Sequence, residues 1–207
     1  ANTGSTRWCK TIYPRLSTDG TAEYLDSIRN HPRVTILEKS LWEGGKDEMV
    51  QACTDTIKEP CVLLEVDSDE HWESRQIDGI HELLAGRPGL ATPAYNCAKF
   101  FFRYYIGQNL ITCAENAWGN NPGEWLRAWK FRPGMTWKSH EPPHLIGVNE
   151  PGIERCASRE LTRGLGLVCE HYGYAFKKQV AFKEVYYGYA DAVAKWQELQ
   201  AYGGPFP

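Results

Sequence analysis

Two aspartates separated by one residue follow an apolar segment, and their carboxylates could together bind a divalent cation. Segment 61–66, CVLLEV, has apolar and β-prone residues at Val62, Leu63, Leu64 and Val66 and predicts a buried strand, and Asp67 and Asp69 lie in the acidic turn after it. The carboxyl ends of strands in a parallel sheet are where such folds place their chemistry. Carboxylate oxygens suit hard divalent cations, and a bound cation can hold the phosphates of a nucleotide. A solvated acidic loop is the alternative interpretation of the same residues.

A second pair of candidates lies in the proline-rich segment 139–151, SHEPPHLIGVNEP. Its prolines predict a loop, which could cover a cleft. A carboxylate in such a loop can act as a general base that takes the proton of an attacking hydroxyl group. We expect Glu141 in this role, with His140 either orienting it or contacting phosphates. A solvated loop glutamate is the alternative.

Three further residues are candidates for contacts with a nucleotide. Lys46 lies at the start of a predicted helix, where the backbone amides of the helix N-terminus also attract phosphate; a surface lysine is the alternative. Asp19 precedes another predicted helix and could contact a nucleoside or simply cap that helix. Arg127 lies in a predicted strand and could contact a diphosphate or a second, acceptor substrate.

Composition narrows the class of protein. The 207 residues are 42% hydrophobic and 24% charged, which is typical of one soluble globular domain. A net charge of −3 provides no basic field for nucleic acid. The longest charge-free aromatic segment, 104–114, is well short of the roughly 20 residues that span a bilayer, so no transmembrane segment is predicted. Seven cysteines without a C-x-x-C pair predict free thiols and a cytoplasmic protein.

The elements that must position these residues change character along the chain. Up to residue 89 the pattern predicts helices and strands in alternation, and therefore parallel strand pairing. Beyond it, β-prone segments with few helix signals predict antiparallel strands and a long C-terminal helix. We therefore predict an α/β fold with a mixed central sheet, helices on both faces and an antiparallel second half. The predicted elements are a helix after 17–21, a strand at 34–37, a helix through 49–57, the strand 61–66, a helix through 77–84 ending near Gly86, two or three strands in 90–113, strands at 125–131 and 165–169, and a helix through 182–199.

The order of several segments resembles family 2 glycosyltransferases with the GT-A fold. STDGT at Ser17–Thr21, WEGGKDEM at Trp42–Met49 and LLEVDSDEHW at Leu63–Trp72 resemble, in turn, the segment after the family's second strand, its W-x-G-K stretch and its D-x-D-E site. Segments 125–143 and 170–189 resemble a sugar-transferase subgroup with an H-E pair and an H-Y element. The likeness covers nearly the whole chain and depends on the ordered set. It implies one GT-A-like domain over 1–207, with a nucleotide- and metal-binding half, 1–89, and an acceptor half, 90–207.

The resemblance implies a metal-dependent, inverting transfer of a sugar from a nucleoside-diphosphate donor to a hydroxyl group of a glycan or other acceptor. It implies Mn²⁺ or Mg²⁺ on Asp67 and Asp69, with His171 as a third ligand; a structural histidine is the alternative. In the family, a strand, a loop and a second strand precede the STDGT segment, whereas about sixteen residues do so here. We expect either a fragment lacking the first strand or a differently built base pocket. A catalytically silent sugar- or nucleotide-binding module is therefore the alternative function.

Overall fold

The computed structural model describes residue 17 and residues 19–39, 41–86, 95–108, 110–113, 125–149 and 155–203. Predictions made for residues 1–16 lie outside these ranges. No helix within them is long and apolar enough to cross a membrane. The helices are α1 (Thr21–Ile28), α2 (Gly45–Asp55), α3 (Ser74–Ala85), α4 (Arg159–Gly164), α5 (Lys177–Tyr187) and α6 (Ala192–Ala201). The strands are β1 (Cys61–Leu64), β2 (Glu70–His71), β3 (Cys97–Lys99), β4 (Phe101–Ile106), β5 (Leu110–Cys113), β6 (Leu126–Phe131), β7 (Trp137–Ser139), β8 (His144–Leu145), β9 (Cys156–Ala157) and β10 (Val168–Tyr174).

The strands form two four-stranded sheets and one hairpin. The first sheet has the order β1-β6-β3-β9, the second has the order β2-β10-β4-β5, and β7 pairs with β8. In the first sheet β6 is antiparallel to β1 and β3, whereas β3 and β9 are parallel. In the second, β10 is parallel to β4 and antiparallel to β2. Both described sheets are therefore mixed, and the protein belongs to the α/β class that its sequence predicts. The predicted single central sheet with an antiparallel second half is wrong, because the strands form two sheets, β9 is parallel to β3 and β10 is parallel to β4.

Two short connections without a helix carry the chain from the first sheet to the second. Phe100 separates β3 of the first sheet from β4 of the second, and its backbone N–H donates a hydrogen bond to the Trp125 carbonyl at 3.1 Å. Residues 65–69 make the other passage, from β1 of the first sheet to β2 of the second. The two aspartates of the sequence pattern therefore lie in a connection that joins two sheets.

Apolar side chains pack into two clusters. In the larger cluster α3 contributes Ile80 and Leu84, which are four residues apart and so lie on one face of the helix. Trp72 packs edge-on against Phe100, with ring centroids 5.0 Å apart. The other buried members of the larger cluster are Ala98, Phe102, Tyr104, Trp125, Ala128, Ala157, Leu167 and Cys169, and the smaller cluster contains Cys97, Leu126, Trp129, Phe131, Leu145 and Val148.

Several predicted elements differ in the structure. The predicted strand 34–37 is wrong, because these residues form no regular secondary structure and pair with no described strand. The expected parallel pairing of strand 61–66 is also wrong, since β1 pairs antiparallel with β6. The single long C-terminal helix is wrong as well: Gly188, with φ 73°, ends α5 in the left-handed conformation that suits glycine, and α6 begins after Asp191. The strand through 125–131 and the helix ending at Gly86 are confirmed.

The proline-rich segment is more ordered than a loop. Strands β7 and β8 form a hairpin around its first prolines, and the peptide bond between Glu141 and Pro142 is cis. The hairpin packs against α2. Both candidate residues of this segment, His140 and Glu141, are therefore carried on the turn of a hairpin that rests on a helix.

Replacing Phe100 with alanine should strongly destabilise the fold. The side chain is fully buried at the passage between the sheets, so its loss removes the contact with Trp72 and leaves a cavity. We expect the free energy of unfolding to fall by about 3–5 kcal/mol, measured by urea denaturation. Ile111→Ala, at a side chain 60% exposed, is the control and should change it by less than about 0.5 kcal/mol. Equal effects of the two substitutions would contradict the assignment of Phe100 to the core.

Candidate functional site

The connection between the sheets turns sharply at the two aspartates. The backbone N–H of Glu70 donates to the Asp67 carbonyl at 3.0 Å, which closes the turn. The Asp69 carbonyl accepts a hydrogen bond from the Tyr172 N–H at 2.7 Å, so β10 holds the far side of the turn. The backbone is therefore fixed on both sides, and the two carboxylates project from a defined frame.

A buried ion pair joins the sheets beside this turn. Nε and Nη2 of Arg127, on β6, both lie 3.0 Å from Oε1 of Glu70, on β2. The Glu70 side chain is fully buried, and burial raises its pKa even though Arg127 acts in the opposite direction. Burial acts to lower the pKa of Arg127, but the carboxylates of Glu70, Glu65 and Asp67 raise it. Arg127 also lies 3.5 Å from Oδ2 of Asp67, so one guanidinium group serves two carboxylates.

Asp69 faces an imidazole and an ammonium group. Nε2 of His171 lies 3.7 Å from Oδ1 of Asp69, and Nζ of Lys183, on α5, lies 3.5 Å from Oδ2. These groups can approach because Gly173 has no side chain: a Cβ there would lie 2.5 Å from the His171 ring and 2.6 Å from Oδ2 of Asp69. Lys183 also lies over the ring of Tyr174, with Nζ 5.0 Å from its centroid. Glycine is therefore required at position 173 for this arrangement.

The hydrogen bonds of His171 identify its tautomer. Its Nδ1 accepts a hydrogen bond from the Gly173 N–H at 3.2 Å, so the proton of the neutral ring lies on Nε2, toward Asp69. Burial lowers the pKa of His171 to about 4, so the ring is neutral at pH 7. In this tautomer Nε2 has no lone pair for a metal. His171 is placed to orient Asp69, and it could ligate a cation through Nε2 only after giving up the bond from Gly173.

The hairpin places His140 and Glu141 opposite the start of α2. Nε2 of His140 lies 2.5 Å from Oε1 of Glu65, and the His140 backbone N–H donates to Oδ1 of Asp47 at 2.5 Å. Glu141 forms an ion pair with Lys46, and the same oxygen of Glu141 lies 3.8 Å from Nδ1 of His140. Two consecutive residues of the hairpin are therefore fixed to two consecutive residues of the helix.

Asp67 lies within electrostatic reach of both groups. Burial acts to raise its pKa, but the charges of Arg127, Lys46, His140 and His171 together lower it. Asp67 is therefore ionised at neutral pH. The same interactions show that the candidates from the hairpin, α2, β6 and β10 meet around one carboxylate.

The structure brings together every predicted site residue except one. Asp19 lies elsewhere: its Oδ1 accepts hydrogen bonds from the backbone N–H of Thr21 at 3.2 Å and from the Thr21 hydroxyl group at 2.7 Å. These bonds lower the pKa of Asp19, with a smaller contribution from Lys178. The structure thus places Asp19 at the beginning of α1, where it stabilises the turn into that helix.

Sequence reasoning missed two carboxylates of the site, Glu65 and Asp47. The signal for Glu65 was available, because residues two apart in an extended chain project to the same side, and Glu65 is two residues before Asp67. Asp47 follows the candidate Lys46 directly. Its role depends on a hairpin whose position no local pattern specifies.

The site carries more acidic than basic groups. The carboxylates are Asp47, Glu65, Asp67, Asp69, Glu70 and Glu141, and the permanent cations are Lys46, Arg127 and Lys183. An acidic excess at a partly exposed turn favours binding of a cation, and the lysines can contact an anion that the cation accompanies. Among the described residues, no three His, Cys, Asp or Glu side chains converge as a ready metal site.

Comparison of the chain with protein-family models, curated proteins and solved structures finds no match. The function is therefore inferred from the chemistry of the residues in the site.

Replacing Arg127 with methionine should leave a buried carboxylate unpaired and so destabilise the fold. Glu70 would lose its cation while its side chain stays buried, and we expect the free energy of unfolding to fall by about 3–5 kcal/mol. Arg127→Met/Glu70→Gln should recover most of this loss, because the amide carries no charge. The control is Arg103→Met, which breaks an ion pair with Glu170 whose arginine is 54% exposed and should cost about 0–1 kcal/mol. An equal loss in both single variants, measured by urea denaturation, would contradict the proposed burial of the Arg127 pair.

Proposed function

We propose that this protein is a metal-dependent glycosyltransferase that moves a sugar from a nucleoside-diphosphate donor to a hydroxyl group of a glycan or other acceptor. One observation carries the proposal: Asp67 and Asp69 lie in one cluster with Lys46 from α2 and Glu141 from the hairpin. These groups supply the two requirements of such a transfer. The leaving diphosphate needs positive charge, and the attacking hydroxyl needs a base.

The donor diphosphate would bind between the acidic turn and the two lysines. Asp67 is ionised and partly exposed, and Asp69 is near it, so this carboxylate pair fits Mn²⁺ or Mg²⁺. His171 fits less well, because its Nε2 carries the proton in the observed tautomer. A bound cation would neutralise the leaving diphosphate. Lys46 and Lys183, which approach from α2 and α5, would contact the phosphate oxygens.

Glu141 would take the proton of the acceptor hydroxyl group. Its side chain is one-third exposed, so a substrate can reach it, and its ion pair with Lys46 holds it beside the donor. A base on the acceptor side of the sugar, opposite the leaving phosphate, is the requirement of an inverting transfer. We propose an inverting reaction with Glu141 as its base, as the resemblance to family 2 glycosyltransferases implies.

The GT-A arrangement is part of the same proposal. It is supported by the position of the D-x-D turn, which follows β1 of the first mixed sheet and leads into the second sheet. It is further supported by the hairpin, which brings a histidine and a glutamate to the same edge. The free thiols of Cys53 and Cys61 fit the reducing environment of the cytoplasm.

Calorimetric titration of UDP and of GDP, each with Mn²⁺, tests the metal and nucleotide assignments. We expect the wild-type protein to bind one of them and Asp67→Ala/Asp69→Ala to bind it at least about tenfold more weakly. Asp78→Ala, at an exposed aspartate of α3, is the control and should bind like wild type. Equal binding by all three proteins, or binding by none, would refute the assignment.

A catalytically silent nucleotide-binding module is the second candidate. The contact that favours it is the ion pair of Glu141 with Lys46, which occupies the proposed base in the free protein. Release of free sugar or transfer product from a bound donor separates the two functions. A silent module would bind the nucleotide and leave the donor intact.

A further inference from the structure

His140 is the most confined ionisable side chain of the hairpin. Its side chain is 7% exposed, and it lies between two carboxylates, those of Glu65 and Glu141. Nε2 lies 2.5 Å from Oε1 of Glu65, whereas the buried Nδ1 makes no hydrogen bond within the described part of the chain. A buried polar atom without a partner is costly, so a fold that keeps one calls for a functional explanation.

Glu65 decides which nitrogen of His140 carries the proton. An ionised carboxylate can only accept hydrogen bonds, so Nε2 must donate and must carry the hydrogen. The lone pair of the neutral ring is then on Nδ1, which faces Oε1 of Glu141 at 3.8 Å. Nδ1 of His140 and Oε1 of Glu141 are then both hydrogen-bond acceptors that face each other. Their contact becomes favourable when a proton lies between them.

Oε1 of Glu141 has two possible partners. In the free protein it pairs with Lys46, and His140 lies just beyond hydrogen-bond distance from the same atom. A movement of Oε1 by about 1 Å would bring it within about 3 Å of Nδ1. Any anion that draws Lys46 away would permit that movement.

We propose that Glu65 is a positioning residue and that His140 is the final acceptor of the proton that Glu141 takes from the acceptor hydroxyl group. This inference rests on the proposed function. The hydroxyl O–H bond breaks as its proton moves to Glu141 and its oxygen attacks the sugar, while the diphosphate leaves with the electron pair of the broken glycosidic bond. The proton then moves from Glu141 to Nδ1 of His140. The resulting imidazolium is stabilised by Glu65, and Glu141 is regenerated as a carboxylate.

The charges around His140 are consistent with this role. Glu65, Glu141 and Asp47 face it from the connection after β1, the hairpin and α2, and Asp67 interacts with it electrostatically. Among the cations, Lys46 is held by Glu141 in the free protein, and Arg127 interacts electrostatically with Glu65 and Asp67. When a diphosphate takes Lys46, the Glu141 carboxylate loses its ion pair and can move toward Nδ1 of His140.

Nitrogen-15 NMR of the histidine side chains tests the proposal without a sugar substrate. In wild-type protein at pH 7 we expect His140 to show a protonated Nε2 and an unprotonated Nδ1, with its signals identified by their loss in His140→Gln. Glu65→Gln should retain this tautomer, because the amide oxygen still accepts the bond. Glu65→Leu should shift the signals toward a mixture of tautomers, and the exposed Glu59→Gln is the control.

The second arm removes the competing partner of Glu141. Lys46→Met should give the imidazolium signature at His140, with both nitrogens protonated, whereas Lys58→Met should not. A protonated Nδ1 in the neutral wild-type ring, or an unchanged tautomer in Glu65→Leu, would overturn the positioning role. An unprotonated Nδ1 in Lys46→Met would overturn the proton transfer. If the histidine signals behave as expected but neither UDP nor GDP binds with Mn²⁺ or with Mg²⁺, the proposed function fails while the positioning role of Glu65 is supported.

Discussion

The ion pair between Arg127 and Glu70 is the interaction on which the candidate site depends. Arg127 belongs to the first sheet and Glu70 to the second, and the turn that carries Asp67 and Asp69 runs between them. A buried ion pair contributes little net stability, because desolvation offsets the attraction of its charges. It does fix geometry, because neither buried charge can lose its partner without a large cost. The distance between the sheets, and hence the placement of the acidic turn, is constrained by this pair.

The carboxylates of the site are paired with a small number of cations. Arg127 serves Glu70 and Asp67, Lys183 serves Asp69, and Lys46 serves Glu141. Each carboxylate that could bind a ligand is thus held by a cation that could itself bind an anion. These ion pairs offset the mutual repulsion of the closely spaced carboxylates.

The sequence was sufficient to predict what is local. Segment 61–66 is mostly apolar and followed by acidic residues, so a strand and a turn after it could be predicted from adjacent residues alone. The strand is shorter than predicted, Cys61–Leu64, and it is only partly buried. The class of fold and the helix ending at Gly86 also follow from local patterns. The partner of β1 could not be predicted, because β6 lies more than sixty residues away and antiparallel pairing leaves no mark in the strand itself. The long C-terminal helix failed for a related reason: its apolar spacing continues through Gly188, and the left-handed turn there outweighs that spacing.

The candidate site shows the same division. The types of the residues were enough to predict which chemical groups the site contains. The pairing of Lys46 with Glu141 was not predictable, because it joins residues 95 positions apart and forms only when the hairpin packs on α2. That pairing has a consequence for the proposed reaction. A diphosphate that takes over Lys46 and Lys183 leaves Glu141 and Asp69 without their cations. A divalent cation would compensate Asp69 together with Asp67, and a proton would compensate Glu141. Binding of the diphosphate would therefore have two results. It would make a metal ion necessary at Asp67 and Asp69, and it would free Glu141 to act as a base.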